Sequence, residues 1–336
     1  MKNKQNKHPT IYNVAALSGL SISTVSRVIN SNELVNETTR ARVLAAIDQL
    51  GFVPKAEARA RALKSTHRFG VITPFFTAPS FVQRLRGVAA ALSGKSYELV
   101  VYPVDSLKRL ESYLSTLPIT CNLDGLIVMS LQLGENHAAR LLDHHLETVL
   151  IESRLTGFNS IEIDDVTGGR MAAEYLLRKG HRRCAFMGDS DLPEYAIHPF
   201  INRLAGFRQT LNEAGVQLPE ELICMAPYNQ EQTRQAAKEL LQLPRPPTAI
   251  FAATDFQALG VLKVAHTLGI RVPQDLAVIG FDDLDMSEMM DLTTIRQHLD
   301  ESGRVAVELL VSRLNDLTRP VQHVNLPLEI VERNTC

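Results

Sequence analysis

Ile22, Ser23 and Arg27 lie along one side of a short segment, ISTVSRVIN, near the start of the chain. An arginine so placed can donate two hydrogen bonds to guanine O6 and N7, an isoleucine can meet a thymine methyl, and a serine can bond a base edge or a phosphate. Thr24, Ser26, Asn30, Asn36 and Thr39 add short polar groups suited to phosphate oxygens, which set register without reading sequence. Residue types that do catalysis or bind metals are present but badly spaced. Asp164-Asp165 and Asp282-Asp283 are immediate neighbours, and successive side chains of a strand point to opposite faces. His144-His145 fails as a metal pair for the same reason, with no third ligand placed nearby. Cys121, Cys184, Cys224 and Cys336 lie far apart without a CxxC pair, the pattern of reduced thiols in a cytoplasmic protein. No GxGxxG, GxxxxGKS/T or GxSxG stands at a strand-to-helix turn. The expectation is a binding protein rather than an enzyme, with no catalytic residue, no cofactor and no metal.

The base-reading candidates need a scaffold, and the flanking residues supply one. Ile11, Val14, Ala15 and Leu17 make the apolar stripe of a first helix, and Ser18-Gly19-Leu20 a tight turn. Ser21 then caps a second helix that turns Val25, Val28 and Ile29 inward. Two short helices about a glycine turn form a helix-turn-helix, whose second helix enters the major groove with its N-terminal residues foremost. A third helix fits residues 36–50, capped by Asn36, with Val43, Leu44, Ile47 and Leu50 as its apolar face and Gly51 at its end. The charge is laid out to match. Residues 1–68 carry 11 Lys and Arg against 4 acids, so a head of +7 precedes a remainder of −9 in a chain of net charge −2. A basic head beside an acidic body is the layout of a nucleic-acid binder with a separate sensing unit.

With 336 residues the chain exceeds one core of ordinary size. From Arg68 onward, apolar runs alternate with amphipathic stretches. FGVITP, YELVVYP, DGLIVMS and TVLIE read as buried parallel strands, separated by helices near 80–93, 106–117 and 135–145. RCAFMGD, LICMA, TAIFAA and LAVIGFD form a second series, with helices near 167–179, 200–214, 230–242 and 255–268. Two such sets imply two doubly wound α/β subdomains, which bind ligands at the carboxyl ends of their strands. The expected fold is an all-α head on an α/β body. No apolar run approaches the roughly 18 residues of a membrane span, and MKNKQNKHPT holds no apolar signal core. A cytoplasmic, nucleoid-associated protein with no membrane partner is expected.

TIYNVAALSGLSISTVSRVIN, followed by VNETTRARVLAAIDQLGFVP, resembles the DNA-binding head of the LacI/GalR family of bacterial transcription regulators, unbroken from Thr10 to Pro54. SIEIDDVTGGRMAAEYLLRKGHRR, INRLAGFRQTL, AIFAATDFQALGVLKVAHTLGIRVPQDLAVIGFDD and LTTIRQHLDESGRVAVELL resemble that family's periplasmic-binding-protein-like effector domain in order and spacing. The resemblance implies base-reading roles for Ile22, Ser23 and Arg27, and backbone-contacting roles for Tyr12, Ser21, Thr24, Ser26, Asn30, Asn36 and Thr39. It implies a helix-turn-helix domain over 1–54, a hinge helix over 55–67 and an effector-binding and dimerisation domain over 68–336. Within the last, an N-subdomain spans about 68–160 and 297–322, and a C-subdomain about 165–290 and 324–336, with crossings near 161–164, 291–297 and 320–325. In the hinge, Lys55 and Arg59 join the DNA-binding set. The family's minor-groove wedge leucine falls on Arg61, so either Arg61 enters as a cation or Leu63 serves after a register shift.

For the body, the resemblance implies Arg203 and Asp255 as the main polar effector contacts, with Asp164 beside the cleft and Phe75, Phe76 and Phe81 against the ligand. Phe256 and Asp282 are secondary candidates. The implied protein is a repressor of a carbohydrate-utilisation operon, a homodimer on double-stranded operator DNA, controlled by a small-molecule effector, a sugar. A purine- or nucleoside-responsive co-repressed regulator, and a free-standing sugar-binding transport component, are the alternatives.

Overall fold

The structure, a computed structural model, describes residues 9–30, 35–50, 52, 66–120, 122–227 and 229–336. Lys55, Arg59, Arg61, Leu63 and Cys121 lie outside the described residues, as do the side chains of Ile29 and Asn30. The chain divides into two compact units, Met1–His67 with Thr120–Asp124, and Arg68–Ile119 with Gly125–Cys336.

In the first unit, helices α1 (Ile11–Ser18), α2 (Ile22–Asn30) and α3 (Glu37–Leu50) enclose a core of Val14, Ala15, Val25, Val28, Val43 and Ala46. Each helix begins on a side-chain bond to the backbone. The Thr10 amide donates to Asn13 Oδ1 at 2.9 Å, the Thr24 amide to Ser21 Oγ at 3.1 Å, and the Thr39 amide to Asn36 Oδ1 at 2.9 Å. Gly19 adopts φ 64° and ends α1, which lets the Leu20 amide reach the Ala15 carbonyl at 3.2 Å. Leu17 and Leu44, expected inward, are exposed. A core this small takes two side chains from each helix, and the flanks of the apolar stripes stay outside.

The second unit is built on twelve strands: β1 (Arg68–Thr73), β2 (Glu98–Pro103), β3 (Gly125–Met129), β4 (Glu147–Ile151), β5 (Asn159–Glu162), β6 (Cys184–Ser190), β7 (Ile223–Pro227), β8 (Ala249–Ala252), β9 (Ala277–Asp282), β10 (Thr293–Arg296), β11 (His323–Asn325) and β12 (Glu329–Val331). They form two sheets, ordered β11-β5-β4-β3-β1-β2 and β12-β10-β9-β8-β6-β7. Among the described residues these strands pair in parallel except β10 with β12. Strand order reverses at β1 in one sheet and at β6 in the other, and ligands of such sheets bind at the carboxyl ends beside that reversal.

Helices α4 (Pro79–Leu92), α5 (Leu107–Thr120), α6 (Glu135–Asp143), α7 (Asp165–Arg178), α8 (Pro199–Glu213), α9 (Gln230–Leu241), α10 (Asp255–Leu268), α11 (Asp285–Met289) and α12 (Leu299–Asn315) complete the unit. The chain leaves the first sheet after β5, returns after β10 through α12, and crosses again between β11 and β12. The last crossing therefore falls at 326–328 rather than 320–325, and β10 belongs to the second sheet rather than to the crossing at 291–297. Ile295 is buried in the second core and Val324 packs on the first, so apolar anchoring carries each strand further than expected.

Glycines on both members of each helix pair, Gly87 with Gly303 and Gly169 with Gly206, set the depth of the helix layers. A Cβ on Gly303 of α12 would overlap the Arg84 carbonyl of α4, and one on Gly169 of α7 would overlap the Arg203 carbonyl of α8. Each pair packs backbone to backbone, and each holds one arginine over the ends of a sheet.

Candidate functional site

On the head, Tyr12, Ile22, Ser23 and Arg27 are exposed. Ser21 Oγ lies 2.8 Å from both Ser23 Oγ and Thr24 Oγ1, which gathers three hydroxyls at the amino end of α2. The positive end of the helix dipole favours an anionic oxygen there. Arg42 Nη2 donates to the Ser18 carbonyl at 2.7 Å and ties α3 to the turn that aims α2. Asn36 uses Oδ1 as a cap, so only its amide nitrogen is left for a phosphate.

The body holds a cleft of about 110 Å³ where the two sheets present their carboxyl ends. Phe75, Ser130 and Glu152 reach it from beyond β1, β3 and β4, and Asp189, Thr254, Asp282 and Gln297 from β6, β8, β9 and β10. Arg84 and Arg203 come from α4 and α8. All the charged side chains here are nearly or fully buried, and none stands alone. Arg84 Nη2 is ion-paired with Glu152 Oε1 and donates to Gln297 Oε1 at 3.2 Å, while Gln297 Nε2 donates to Asp282 Oδ1. Ser130 donates to Glu152 Oε2, and Gln257 Nε2 to Asp189 Oδ1 at 2.8 Å. Arg203 Nε donates to Asp165 Oδ1 at 2.8 Å and Nη1 to the Ala253 carbonyl at 2.6 Å, with the guanidinium 3.5 Å above the Phe281 ring.

The backbone is strained where these groups turn inward. Ser130, Glu152 and Asp282 have φ of 53°, 68° and 123°, conformations that favour glycine. Strain of this kind costs about 1–3 kcal/mol per residue and collects where a site needs a fixed presentation.

Two family models match the chain: bacterial regulatory proteins of the lacI family over residues 10–55, and a periplasmic binding protein-like domain over residues 173–336. The ribose operon repressor of Escherichia coli (strain K12) is 32% identical over 335 residues, covering 97% of this chain and 99% of the relative. The catabolite control protein A of Priestia megaterium is 33% identical over 330 residues, covering 97% and 98%. The chain belongs to the lacI family. Among solved structures, the lac repressor dimer bound to operator and the anti-inducer ONPF is 26% identical, with a TM-score of 0.77 over 98% of this chain and 99% of that one. Two of these relatives of the lacI-family chain are repressors by name, and no helix among its described residues is long and apolar enough to cross a membrane.

Of the effector contacts expected from sequence, the structure brings Phe75, Phe81, Arg203 and Asp282 to the cleft. Phe75 and Phe81 meet edge to face, ring centres 6.0 Å apart. Four others lie elsewhere. Asp255 is fully buried beneath it: Oδ2 accepts from the Leu284 amide at 2.8 Å and Ser287 Oγ at 2.6 Å, and Oδ1 accepts from Thr294 Oγ1. Asp164 is exposed and caps α7, accepting from the Thr167 amide at 2.9 Å. Phe76 is exposed outside the cleft, and Phe256 lines a separate groove with Thr233 and Met286. Sequence reasoning passed over Arg84, Ser130, Glu152, Asp189, Thr254 and Gln297. A usable signal existed for three: Ser130, Glu152 and Asp189 are the polar residues that close the apolar runs DGLIVMS, TVLIE and RCAFMGD.

The carboxyls divide by environment. Burial alone would raise Glu152, but the Arg84 guanidinium and the Ser130 hydroxyl outweigh it and hold it below the ordinary range. Burial pushes Asp189 up to about 6 against the pull of Arg203, and pushes Asp282 well above its ordinary value. A raised carboxyl binds its proton more tightly when folded. Its contribution is therefore fully present below the unfolded value near 4 and is lost as pH rises through about 6. Asp189→Asn should remove that loss. Between pH 4 and 6 the wild type minus mutant stability should fall by about 1.4 kcal/mol per pH unit. Urea melts across that range check it, and parallel pH curves for the two proteins would show that Asp189 titrates normally.

Proposed function

We propose that this chain is a ligand-responsive repressor of a carbohydrate-utilisation operon, acting as a homodimer on operator DNA with a sugar as effector. In this reading 1–54 is the DNA-binding domain, 55–67 the hinge and 68–336 the effector-binding and dimerisation domain. Ile22, Ser23 and Arg27 read bases while Tyr12, Ser21, Thr24, Ser26, Asn30, Asn36 and Thr39 hold phosphates. The observation that carries it is the cleft itself. Buried carboxyls from both sheets and guanidiniums from α4 and α8 converge on a small space walled by Phe75 and Phe81, the combination that grips the hydroxyls and apolar face of a sugar ring. Arg203 Nη2 makes no hydrogen bond to the described residues, which leaves it for a ligand oxygen. Because Arg84 and Asp282 are linked through Gln297, an effector that engages Asp282 also bears on α4, on the other sheet's side.

The test is fluorescence anisotropy of the full chain on DNA fragments from its own genomic neighbourhood, with and without neutral monosaccharides. Effector coupling is typically about 5–150-fold, and a shift in operator affinity within that range is expected. Sugar binding that leaves operator affinity unchanged, or no preference for any neighbouring fragment over random DNA, would sink the proposal.

A further inference from the structure

Both guanidiniums that line the cleft are matched by a buried carboxylate, Arg84 by Glu152 and Arg203 by Asp165. Two more carboxyls, Asp189 and Asp282, line the same space and form no ion pair among the described residues. Three of the polar donors around the carboxyls are already engaged. Ser130 donates to Glu152, Gln297 Nε2 to Asp282, and Gln257 Nε2 to Asp189. The Gln297 amide cannot turn round, because its Oε1 already accepts from Arg84 Nη2. Arg84 Nε and Nη1 have no hydrogen-bond partner among the described residues, but both are closed off from solvent. This wall therefore offers an incoming molecule carboxyl oxygens and one guanidinium N–H group, Arg203 Nη2, whose charge Asp165 already balances.

We infer that the cleft selects an uncharged, ring-sized polyol and excludes phosphorylated and carboxylated sugars, with Glu152 and Asp189 as the specificity-determining residues. Glu152 acts by cancelling Arg84, and Asp189 by carrying a carboxyl that no ion pair among the described residues neutralises. A hydroxyl of a neutral sugar donates to these oxygens and forms a charge-assisted bond. A phosphate or carboxylate in the same enclosed space meets like charge, and repulsion there is several-fold stronger than in water because the surroundings screen it less. Phe75, Phe81, Leu192, Ile197 and Pro199 supply apolar surface for the ring faces. The inference rests on the effector reading above and sharpens it.

Calorimetry on the full chain at fixed neutral pH tests it, using ribose, glucose and galactose against ribose 5-phosphate, glucose 6-phosphate and galacturonate. At least one neutral sugar should bind, at least a hundredfold tighter than its anionic counterpart. Glu152→Gln and Asp189→Asn keep the side-chain shape and each remove one negative charge. Each should cut that ratio at least tenfold, Glu152→Gln the more because it leaves Arg84 unopposed. Should Glu152→Gln fail to fold, Asp189→Asn carries the comparison. A merely structural role would weaken both members of a pair equally and leave the ratio where it was. That result overturns the inference, as does an anionic sugar binding the wild type as tightly as its neutral counterpart, or failure of every neutral sugar to bind. No DNA is present in this measurement. A neutral sugar that binds with the expected ratio yet leaves operator affinity unchanged would therefore remove the effector reading and leave the selectivity standing.

Discussion

Asp255→Ala is expected to destabilise the body by about 2–4 kcal/mol while leaving effector affinity in the surviving protein close to wild type. Among the described residues its carboxyl is the acceptor for three buried or nearly buried donors, the Leu284 amide, Ser287 Oγ and Thr294 Oγ1. Leaving a buried donor unpaired costs about 1–3 kcal/mol each, and part of that is offset because a desolvated carboxyl no longer has to be buried. The offset is real, since burial pushes Asp255 up to about 6. Asp282→Asn should behave in the opposite way. Asn keeps an oxygen for Gln297 Nε2, so the fold loses little, but the cleft loses a carboxyl acceptor, a hydrogen bond worth about 0.5–1.5 kcal/mol to a ligand hydroxyl. Urea melts and sugar calorimetry on the two variants separate the roles. A normal melt with abolished sugar binding in Asp255→Ala would return Asp255 to the list of ligand contacts.

That contrast also shows how far the sequence could be read. Thr254 and Asp255 are neighbours at the start of α10, where one step along the helix turns the side chain by about 100°. Thr254 faces the cleft and Asp255 turns into the fold, and no property of the residue types distinguishes the two phases. The adjacent acids behave likewise. Asp165 turns inward to Arg203 while Asp164 stays outside, and Asp282 lines the cleft while Asp283 pairs with Arg296 and Arg333. The rule that neighbours diverge was legible; which neighbour points in was not. The strands were legible because central parallel strands such as GLIVM and AVIGFD are buried on both faces and read as unbroken apolar runs. The short strands NSIE, TTIR, HVN and EIV mix polar residues into three or four positions, and give no such run. Arg84 was invisible for a different reason. Its partners Glu152 and Gln297 lie 68 and 213 residues away, so only the folded chain reveals that this arginine is cancelled and held in the wall of a cleft.

Arg27→Ala should cost about 1–3 kcal/mol per half-site, or about 2–6 kcal/mol for a dimer on a two-fold operator, and should relax the preference at one base pair in each half. The residue is exposed on α2, one turn from Ser23, while Val25 and Val28 on the opposite side are locked in the head core. Removing its side chain therefore takes nothing from that core, and the loss reports on DNA alone. The size of the effect depends on what Arg27 meets. A guanine edge accepts both arms of the guanidinium, and a wrong base leaves them unpaired, so operator affinity should fall while affinity for random DNA changes little. A phosphate makes no such distinction. If Arg27 only touches backbone, operator and random DNA should weaken together, and the slope of log affinity against log salt should drop by about 0.9 for each head. Anisotropy titrations on both DNAs at several salt concentrations decide between the two. Equal losses would move the reading of bases to Ile22 and Ser23, whose side chains can contribute only a methyl contact or a single hydrogen bond, and would leave the head of this chain with little sequence discrimination of its own.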